Sequence, residues 1–152
     1  IKKEKIIPHK EINKILSTIE ALLVEKKLVV ENEINEDLIL RTDKESFRSI
    51  FSNLLNNAIK YSPIGSKIVF NAAKRKKSIV ISIKDNGYGI EKNSIKRVFE
   101  RFYRSSKARA HTKGTGLGLA LVKQLSSRIG ANVKVESQIN VGSEFFVSFQ
   151  DK

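Results

Sequence analysis

The chain has 152 residues with a formal net charge of +13, and 40% of its residues are hydrophobic, as expected for one soluble domain. It has no Cys and only two His, which excludes disulfides and argues against a histidine-based metal cage. No apolar run approaches the roughly 20 residues of a membrane span, and no signal peptide is visible. The chain also lacks Met and begins at Ile1, so we expect a piece of a longer or processed protein.

The positive charge raises the question of an acidic partner such as nucleic acid. The basic residues are spread through the chain instead of forming one arm, and aromatic stacking platforms are few. A solvated lysine-rich surface is therefore the simpler interpretation, and we expect no nucleic acid partner.

Hydrophobic periodicity and turn residues predict the elements in chain order. Residues 1–5 are expected to be a residual linker, with a short strand near Ile6 and Ile7. The next predicted elements are a helix over 11–25, strands over 28–34 and 37–41, a helix over 43–62, strands over 67–73 and 78–84, a short helix over 94–102, a polar loop over 105–113, a helix over 117–129, and strands over 131–138 and 143–150. These elements favour an α/β two-layer sandwich (α+β), with three main helices on one face of a mixed, mostly antiparallel sheet of about five strands.

The helix over 43–62 has two distinct sides. Thr42 and Glu45 indicate a capping box at its start. Asn53, Asn57 and Lys60 share a polar stripe beside the apolar one. Since Asn is a mediocre helix former, three Asn within 53–57 favour a binding role, such as contact with a metal-bound phosphate. The apolar stripe consists of Phe47, Ile50, Phe51, Leu54, Leu55, Ala58 and Ile59.

Two glycine-rich segments each allow two interpretations. Asp85 and the glycines after it form either a tight turn or a loop in which Asp85 accepts a hydrogen bond from an amino group of a flat ligand. The glycines of 114–118 open a helix, where free N–H groups favour an anion, or else form a flexible hinge. Their spacing matches neither a dinucleotide fingerprint nor a Walker loop.

Five motifs occur in the order of one family: NLLNNAIKYS (53–62), DNGYGI (85–90), FERFYR (99–104), GTGLGLA (114–120) and GSEFF (142–146). The sequence resembles the ATP-binding catalytic domain of two-component sensor histidine kinases, which share the Bergerat fold with gyrase, the Hsp90 chaperones and MutL. The resemblance covers nearly the whole chain from about residue 6. It implies a single catalytic domain over 1–152, the cofactors ATP and Mg²⁺, and a cytoplasmic location. The resemblance leaves open whether the parent protein is membrane-anchored.

The resemblance also implies a role for each matching residue. Asn57 would ligate Mg²⁺ through its amide oxygen, with Asn53 next to the metal and the phosphates. Asp85 would accept a hydrogen bond from the adenine amino group. Lys60 and Arg104 would stabilise phosphate charge, and no residue would act as a general base. The other nucleotide-binding candidates are Tyr61, Gly87, Gly89, Ile90, Lys107, Gly114, Thr115, Gly116, Leu117, Gly118 and Ser143, with Phe99 and Phe102 at the base of a lid.

Position 53 separates the relatives. Gyrase, Hsp90 and MutL resemble one another in carrying Glu four residues before the metal-binding Asn, as a base that activates water. Asn53 cannot take a proton. This favours phosphoryl transfer to an imidazole, for which positioning and charge neutralisation suffice. The alternatives are an ATP-driven conformational ATPase of the chaperone or topoisomerase class and a basic nucleic-acid-binding module.

The phosphorylated histidine of the family lies on a separate dimerising helical domain and is followed by an acidic residue. His9 is followed by Lys10, and His111 lies in the expected lid, so neither matches. We expect the phosphoacceptor domain to be absent from this chain and to belong to a homodimeric parent. The partners would be that histidine domain and a response-regulator receiver domain, and the isolated chain would be a monomer.

Overall fold

The computed structural model describes residues 1–104 and 117–150. In chain order, these residues form β1 (Lys3–Ile6), α1 (Pro8–Ser17), α2 (Glu20–Glu25), β2 (Val29–Asn32), β3 (Leu40–Asp43), α3 (Lys44–Lys60), β4 (Lys67–Lys74), β5 (Ser78–Asp85), α4 (Lys92–Ile95), α5 (Gly118–Arg128), β6 (Asn132–Gln138) and β7 (Gly142–Gln150). None of the helices in this described part of the chain is long and apolar enough to cross a membrane.

Five strands form the main sheet in the order β2-β4-β5-β7-β6. β2 and β4 are parallel, while the β4–β5, β5–β7 and β6–β7 pairs are antiparallel. β1 and β3 form a separate antiparallel ribbon. The predicted mixed, mostly antiparallel sheet of five strands is confirmed.

The core lies between one face of this sheet and the helices. All seven residues of the predicted apolar stripe on α3 are buried. The Phe51 ring lies 6.4 Å from the rings of both Phe70 on β4 and Phe149 on β7, while α1 and α5 pack beside α3. The predicted two-layer sandwich is therefore confirmed, and α3 lies at its centre.

The predicted helix over 11–25 is wrong as a single element, because two helices occupy this region. Pro8 lies at the first turn of α1, where a missing N–H costs nothing. The helix ends where the Ser17 and Thr18 hydroxyl groups donate to the carbonyls of Lys14 and Ile15, each at 2.7 Å. Such local side-chain hydrogen bonds compete with the backbone hydrogen bonds of the helix, and α1 ends here.

The bounds of three further elements also differ from the prediction. Residues 3–5, expected in a linker, pair with β3. Because of this pairing, β3 spans Leu40–Asp43 and not the predicted 37–41. The short helix over 94–102 is limited to Lys92–Ile95. After Ile95 the backbone continues in turns with bonds such as Arg97 N to Ser94 O and Glu100 N to Arg97 O, and Phe102 has a φ of 64°, which is not helical.

The N-terminus of α3 is capped by Asp43 and not by the predicted Thr42–Glu45 box. The Asp43 carboxylate accepts hydrogen bonds from Ser46 N at 3.0 Å and from the Ser46 hydroxyl at 2.6 Å. Thr42 is unavailable as a cap because it is buried in β3. These bonds, with one from the Lys2 amide, lower the Asp43 pKa to about 2.

Candidate functional site

A cavity of about 960 Å³ opens between α3, the loop after β5, the segment after α4 and the start of α5. The predicted site residues that line it are Asn53, Asn57, Lys60, Tyr61, Asp85, Gly89, Ile90, Arg104, Leu117, Gly118 and Ser143. Residues 90 positions apart in sequence thus meet at one cavity. Gly87 is buried behind the wall, while Lys107, Gly114, Thr115 and Gly116 lie outside the described residues, so their roles stay predictions.

The α3 wall of the cavity is polar because it is formed by the stripe beside the apolar one, while the apolar stripe itself faces the core. Asn53 Nδ2 donates to Ser49 O at 2.7 Å, and within residues 1–104 and 117–150 no donor reaches the amide oxygen Oδ1. A side chain at Gly118 would place its Cβ 3.5 Å from this oxygen. The start of α5 therefore meets α3 at Asn53, with Asn57 and Lys60 further along the same wall.

The N-terminus of α5 lies at the cavity. Gly118, Leu119 and Ala120 form its first turn and line the cavity, and the N-cap residue Leu117 makes no side-chain cap. The first N–H groups of a helix have no partners within the helix and carry the positive end of its dipole. This wall can therefore hold a negatively charged group.

Asp85 forms the opposite wall. It is the last residue of β5 and is only 5% exposed. Its Oδ1 accepts hydrogen bonds from Gly87 N at 2.8 Å and Ser143 N at 3.3 Å. No donor among the described residues reaches Oδ2, so this oxygen remains able to accept a hydrogen bond from a ligand. Burial raises the Asp85 pKa to about 6, although the two amide hydrogen bonds act in the opposite direction.

Close packing against backbone carbonyls requires glycine at both positions after Asp85, independently of any contact with a ligand. A Cβ at Gly87 would clash with the carbonyl of Tyr61, at the end of α3. Gly89 has a φ of 77°, and a Cβ there would clash with the carbonyl of Gln138. These glycines allow the loop to pack tightly between α3 and the β6–β7 hairpin.

The segment after α4 supplies cavity residues that sequence reasoning did not single out. The Tyr103 hydroxyl lies 2.6 Å from Ser94 Oγ, and the Arg97 guanidinium lies 4.4 Å from the Tyr103 ring centroid. Phe99 packs edge-on to Phe145 at 6.1 Å, as suits an anchor, whereas Phe102 is 64% exposed. Tyr103 lies within the FERFYR motif, which was the available signal for it.

The chemistry of the donors limits the kind of metal that the site suits. Within residues 1–104 and 117–150 there is no cluster of three or more His, Cys, Asp or Glu side chains that would form a metal cage. The side chains of Asn53 and Asn57 provide neutral amide oxygens. Such a set fits a hard cation such as Mg²⁺ that arrives with phosphate and water ligands.

Comparison with known proteins places these features in one family. Residues 42–152 match the family described as "Histidine kinase-, DNA gyrase B-, and HSP90-like ATPase". The sensor-like histidine kinase SenX3 of Mycolicibacterium smegmatis is 44% identical over 101 residues, which are 66% of this chain and 26% of SenX3. The swarming motility regulation sensor protein RssA of Serratia marcescens is 35% identical over 136 residues, 89% of this chain and 29% of RssA. The chain thus spans less than a third of these relatives.

A solved structure gives the same result for the fold. The catalytic domain of histidine kinase ThkA matches with a TM-score of 0.86 at 22% identity, covering 99% of both chains. ThkA in complex with the response regulator protein TrrA matches with a TM-score of 0.82 at 18% identity, covering 99% of this chain and 42% of that one. The chain therefore belongs to the family of histidine kinase-, DNA gyrase B- and HSP90-like ATPases, and its fold is that of the ThkA catalytic domain.

Proposed function

We propose that this domain binds Mg·ATP and transfers the γ-phosphate to a histidine on a separate dimerisation domain of its parent sensor kinase. That histidine would then pass the phosphoryl group to a response-regulator receiver domain. The observation that carries the proposal is the pairing of two walls in one cavity: a buried carboxylate with one open oxygen, and a wall of amide oxygens, a lysine and a helix N-terminus.

The base would bind at Asp85. Its Oδ1 is occupied by two backbone N–H groups, so Oδ2 would accept from the exocyclic amine of adenine. Ser143, Gly89 and Ile90 line the same part of the cavity and would contact the ring, with Tyr61 nearby. Because Asp85 is buried, this hydrogen bond would form away from water. There, a donor or acceptor left without a partner costs more free energy than it does in water.

The phosphates would lie between α3 and the start of α5. Asn57, and Asn53 beside it, would hold the Mg²⁺ ion, which would neutralise part of the phosphate charge. Lys60 and Arg104, which both line the cavity, would contribute further positive charge. Lys107 and the glycines of 114–118 match the family motif, and on that basis they would also contact the phosphates.

The transfer step would need no general base from this chain. The imidazole nitrogen of the acceptor forms a bond to the γ-phosphorus, the bond from that phosphorus to the β–γ bridging oxygen breaks, and ADP leaves. The imidazole proton passes to solvent. Asn53, where a carboxylate would activate water, offers only an amide. This residue supports phosphoryl transfer over an ATP-driven conformational ATPase.

The acceptor would lie outside this chain, on a parent that is a homodimer with its catalytic domains in the cytoplasm. His9 Nδ1 donates to Ile34 O at 2.8 Å, and its Nε2 lies 3.2 Å from Asn13 Nδ2. Both ring nitrogens therefore have partners: the bond to Ile34 O ties α1 to the segment after β2, and the contact with Asn13 lies within α1. This supports a structural role for His9, and we expect the isolated chain to be a monomer that does not label itself with ATP.

Calorimetric titration of ADP and ATP, with and without Mg²⁺, tests the proposal directly. We expect the wild type to bind both nucleotides, with tighter binding in the presence of Mg²⁺. A wild type that binds no nucleotide would contradict the proposal. A salt-dependent gel shift with DNA would then test the basic surface, because phosphate contacts weaken steeply with salt.

A further inference from the structure

Ser137 on β6 lies outside all five family motifs, yet its hydroxyl group connects the two segments that form the Asp85 wall. Ser137 Oγ accepts a hydrogen bond from Ile90 N at 2.7 Å. The same oxygen lies 3.0 Å from Gly142 O and 2.8 Å from Ser143 Oγ. Ser137 is half-buried and pairs directly with Ser143 across the β6–β7 ladder, so both side chains face the helix layer.

The hydrogen bonds that join the loop over 85–90 to the β6–β7 hairpin include the following three. Ser143 N donates to Asp85 Oδ1 at 3.3 Å, Asn140 N donates to Tyr88 O at 2.8 Å, and Ile90 N donates to Ser137. In the first two bonds the hairpin contributes a backbone N–H group, which a change of side chain does not remove. In the third it contributes a side chain, so the position of the loop end depends on residue 137.

The hydroxyl group of Ser137 also affects the hydrogen bonding of Ser143, which lines the cavity. A serine hydroxyl has one hydrogen to donate, and that of Ser137 can point to Gly142 O or to Ser143 Oγ. When it points to Ser143, the Ser143 hydrogen is released to serve another acceptor. Ser137 thereby decides whether Ser143 offers a donor or an acceptor to whatever occupies the cavity.

We propose that Ser137 is a positioning residue for recognition of the base, through its hydrogen bonds to Ile90 N and Ser143. It fixes the loop that carries Asp85 and so sets the preference of the site for a 6-aminopurine over a 6-oxopurine. This inference rests on the proposed nucleotide-binding function. It adds a specificity-determining residue that contacts the wall of the site and not the base itself.

The test compares the affinities of ADP and IDP, which differ at the 6-position of the base. The 6-amine of ADP can donate to Asp85, whereas the 6-oxo group of IDP places an acceptor against that carboxylate. Both nucleotides are titrated with Mg²⁺ into the wild type, Ser137→Ala, Ser137→Thr and Ser148→Ala. Ser148 is a matched control, because it is also half-buried but lies on the opposite face of the sheet, in β7.

We expect the wild type to prefer ADP, and Ser137→Ala to lose about tenfold in ADP affinity with little change for IDP, as removal of a well-placed hydrogen bond implies. Ser137→Thr, which keeps the hydroxyl group, should restore the preference, and Ser148→Ala should match the wild type. Amide hydrogen exchange of the nucleotide-free chain should show faster exchange at Ile90 in Ser137→Ala only.

The outcomes separate this inference from the function on which it rests. A wild type that binds neither nucleotide overturns both. A wild type that prefers ADP, with a Ser137→Ala variant that keeps the same preference, overturns only the role of Ser137. Equal losses for ADP and IDP in Ser137→Ala would also overturn it, because they would indicate a structural role without selectivity.

Discussion

The two walls of the cavity are held by different means. The Asp85 wall is tied by hydrogen bonds between segments far apart in sequence, such as Ser143 N to Asp85 Oδ1, and by glycines packed against backbone carbonyls. The α3 wall is a polar stripe on one helix, in which the bond from Asn53 Nδ2 to Ser49 O stays within a single turn. The first wall is therefore fixed before any ligand binds, whereas the second has polar groups that, under our proposal, a metal and phosphates would complete.

This comparison predicts that the largest effect will follow a change at Asp85. In Asp85→Asn the new amide oxygen can keep both backbone hydrogen bonds, but the amide nitrogen would face the adenine amine as a second donor. We expect ADP affinity to fall by about 100-fold, since a buried mismatch costs more than a lost bond. The nucleotide-free variant should melt at a higher temperature than the wild type at pH 7.5, because a buried charge has been removed.

Calorimetry and thermal unfolding of the same samples check both effects. Asp37→Asn serves as a control, since Asp37 is exposed and does not line the cavity. A variant at position 85 that binds ADP as tightly as the wild type would contradict the assignment of this wall to the base.

The pH dependence tests the same wall without mutation. The native Asp85 pKa of about 6 lies above the ordinary aspartate value of 3.8, so the folded state binds the proton more tightly than the unfolded state. The resulting stabilisation is complete below the unfolded pKa and is lost as pH rises through about 6. Binding should change in the opposite direction, because the proton would occupy the oxygen that must accept from adenine.

We therefore expect ADP to bind about tenfold more weakly at pH 5 than at pH 7. Asp43 does not interfere in this range, because its pKa of about 2 keeps it ionised. Titration calorimetry from pH 5 to pH 8 measures the change, and Asp85→Asn should remove the pH dependence. A dependence that persists in that variant would have to come from another group.

A change in the α3 wall should affect metal dependence more than base recognition. In Asn57→Ala an amide oxygen that we assign to Mg²⁺ is lost, while Asp85 and its partners are unchanged. We expect ADP affinity in the presence of Mg²⁺ to fall by about tenfold, and affinity in the presence of a chelator to stay at the wild-type value. Asn132→Ala, at an exposed position on β6, is the matched control. Equal losses with and without Mg²⁺ would place Asn57 away from the metal.

The two walls also differ in how far the sequence predicts them. The stripe on α3 follows from local periodicity, and all seven predicted apolar residues are buried. The position of Asp85 follows from its motif, but its hydrogen bond to Ser143 N spans 58 residues and the bond from Ile90 N to Ser137 spans 47. No periodicity records such links, because they depend on strand register across the sheet.

Local patterns also mislead where side chains compete with the backbone. The apolar spacing over 11–25 suits one helix, and the hydroxyl groups of Ser17 and Thr18 end it early. The N-cap of α3 is Asp43 and not the predicted Thr42, because β3 pairs with β1 and Thr42 is buried in this pairing. The cause is therefore a tertiary contact.

The smallest expected effect concerns the chemistry of position 53. Asn53→Glu would place a carboxylate where the amide now stands, and a carboxylate can accept a proton from an attacking water. We expect ATP hydrolysis to rise only a few-fold, because the added charge also repels the phosphates and the bond to Ser49 O is lost. Release of phosphate with Mg·ATP measures this, with Asn53→Gln as the control that lengthens the side chain but keeps the amide. If both variants hydrolyse ATP at the same rate, the identity of residue 53 does not decide between hydrolysis and transfer, and the distinction must lie in the lid or in the acceptor.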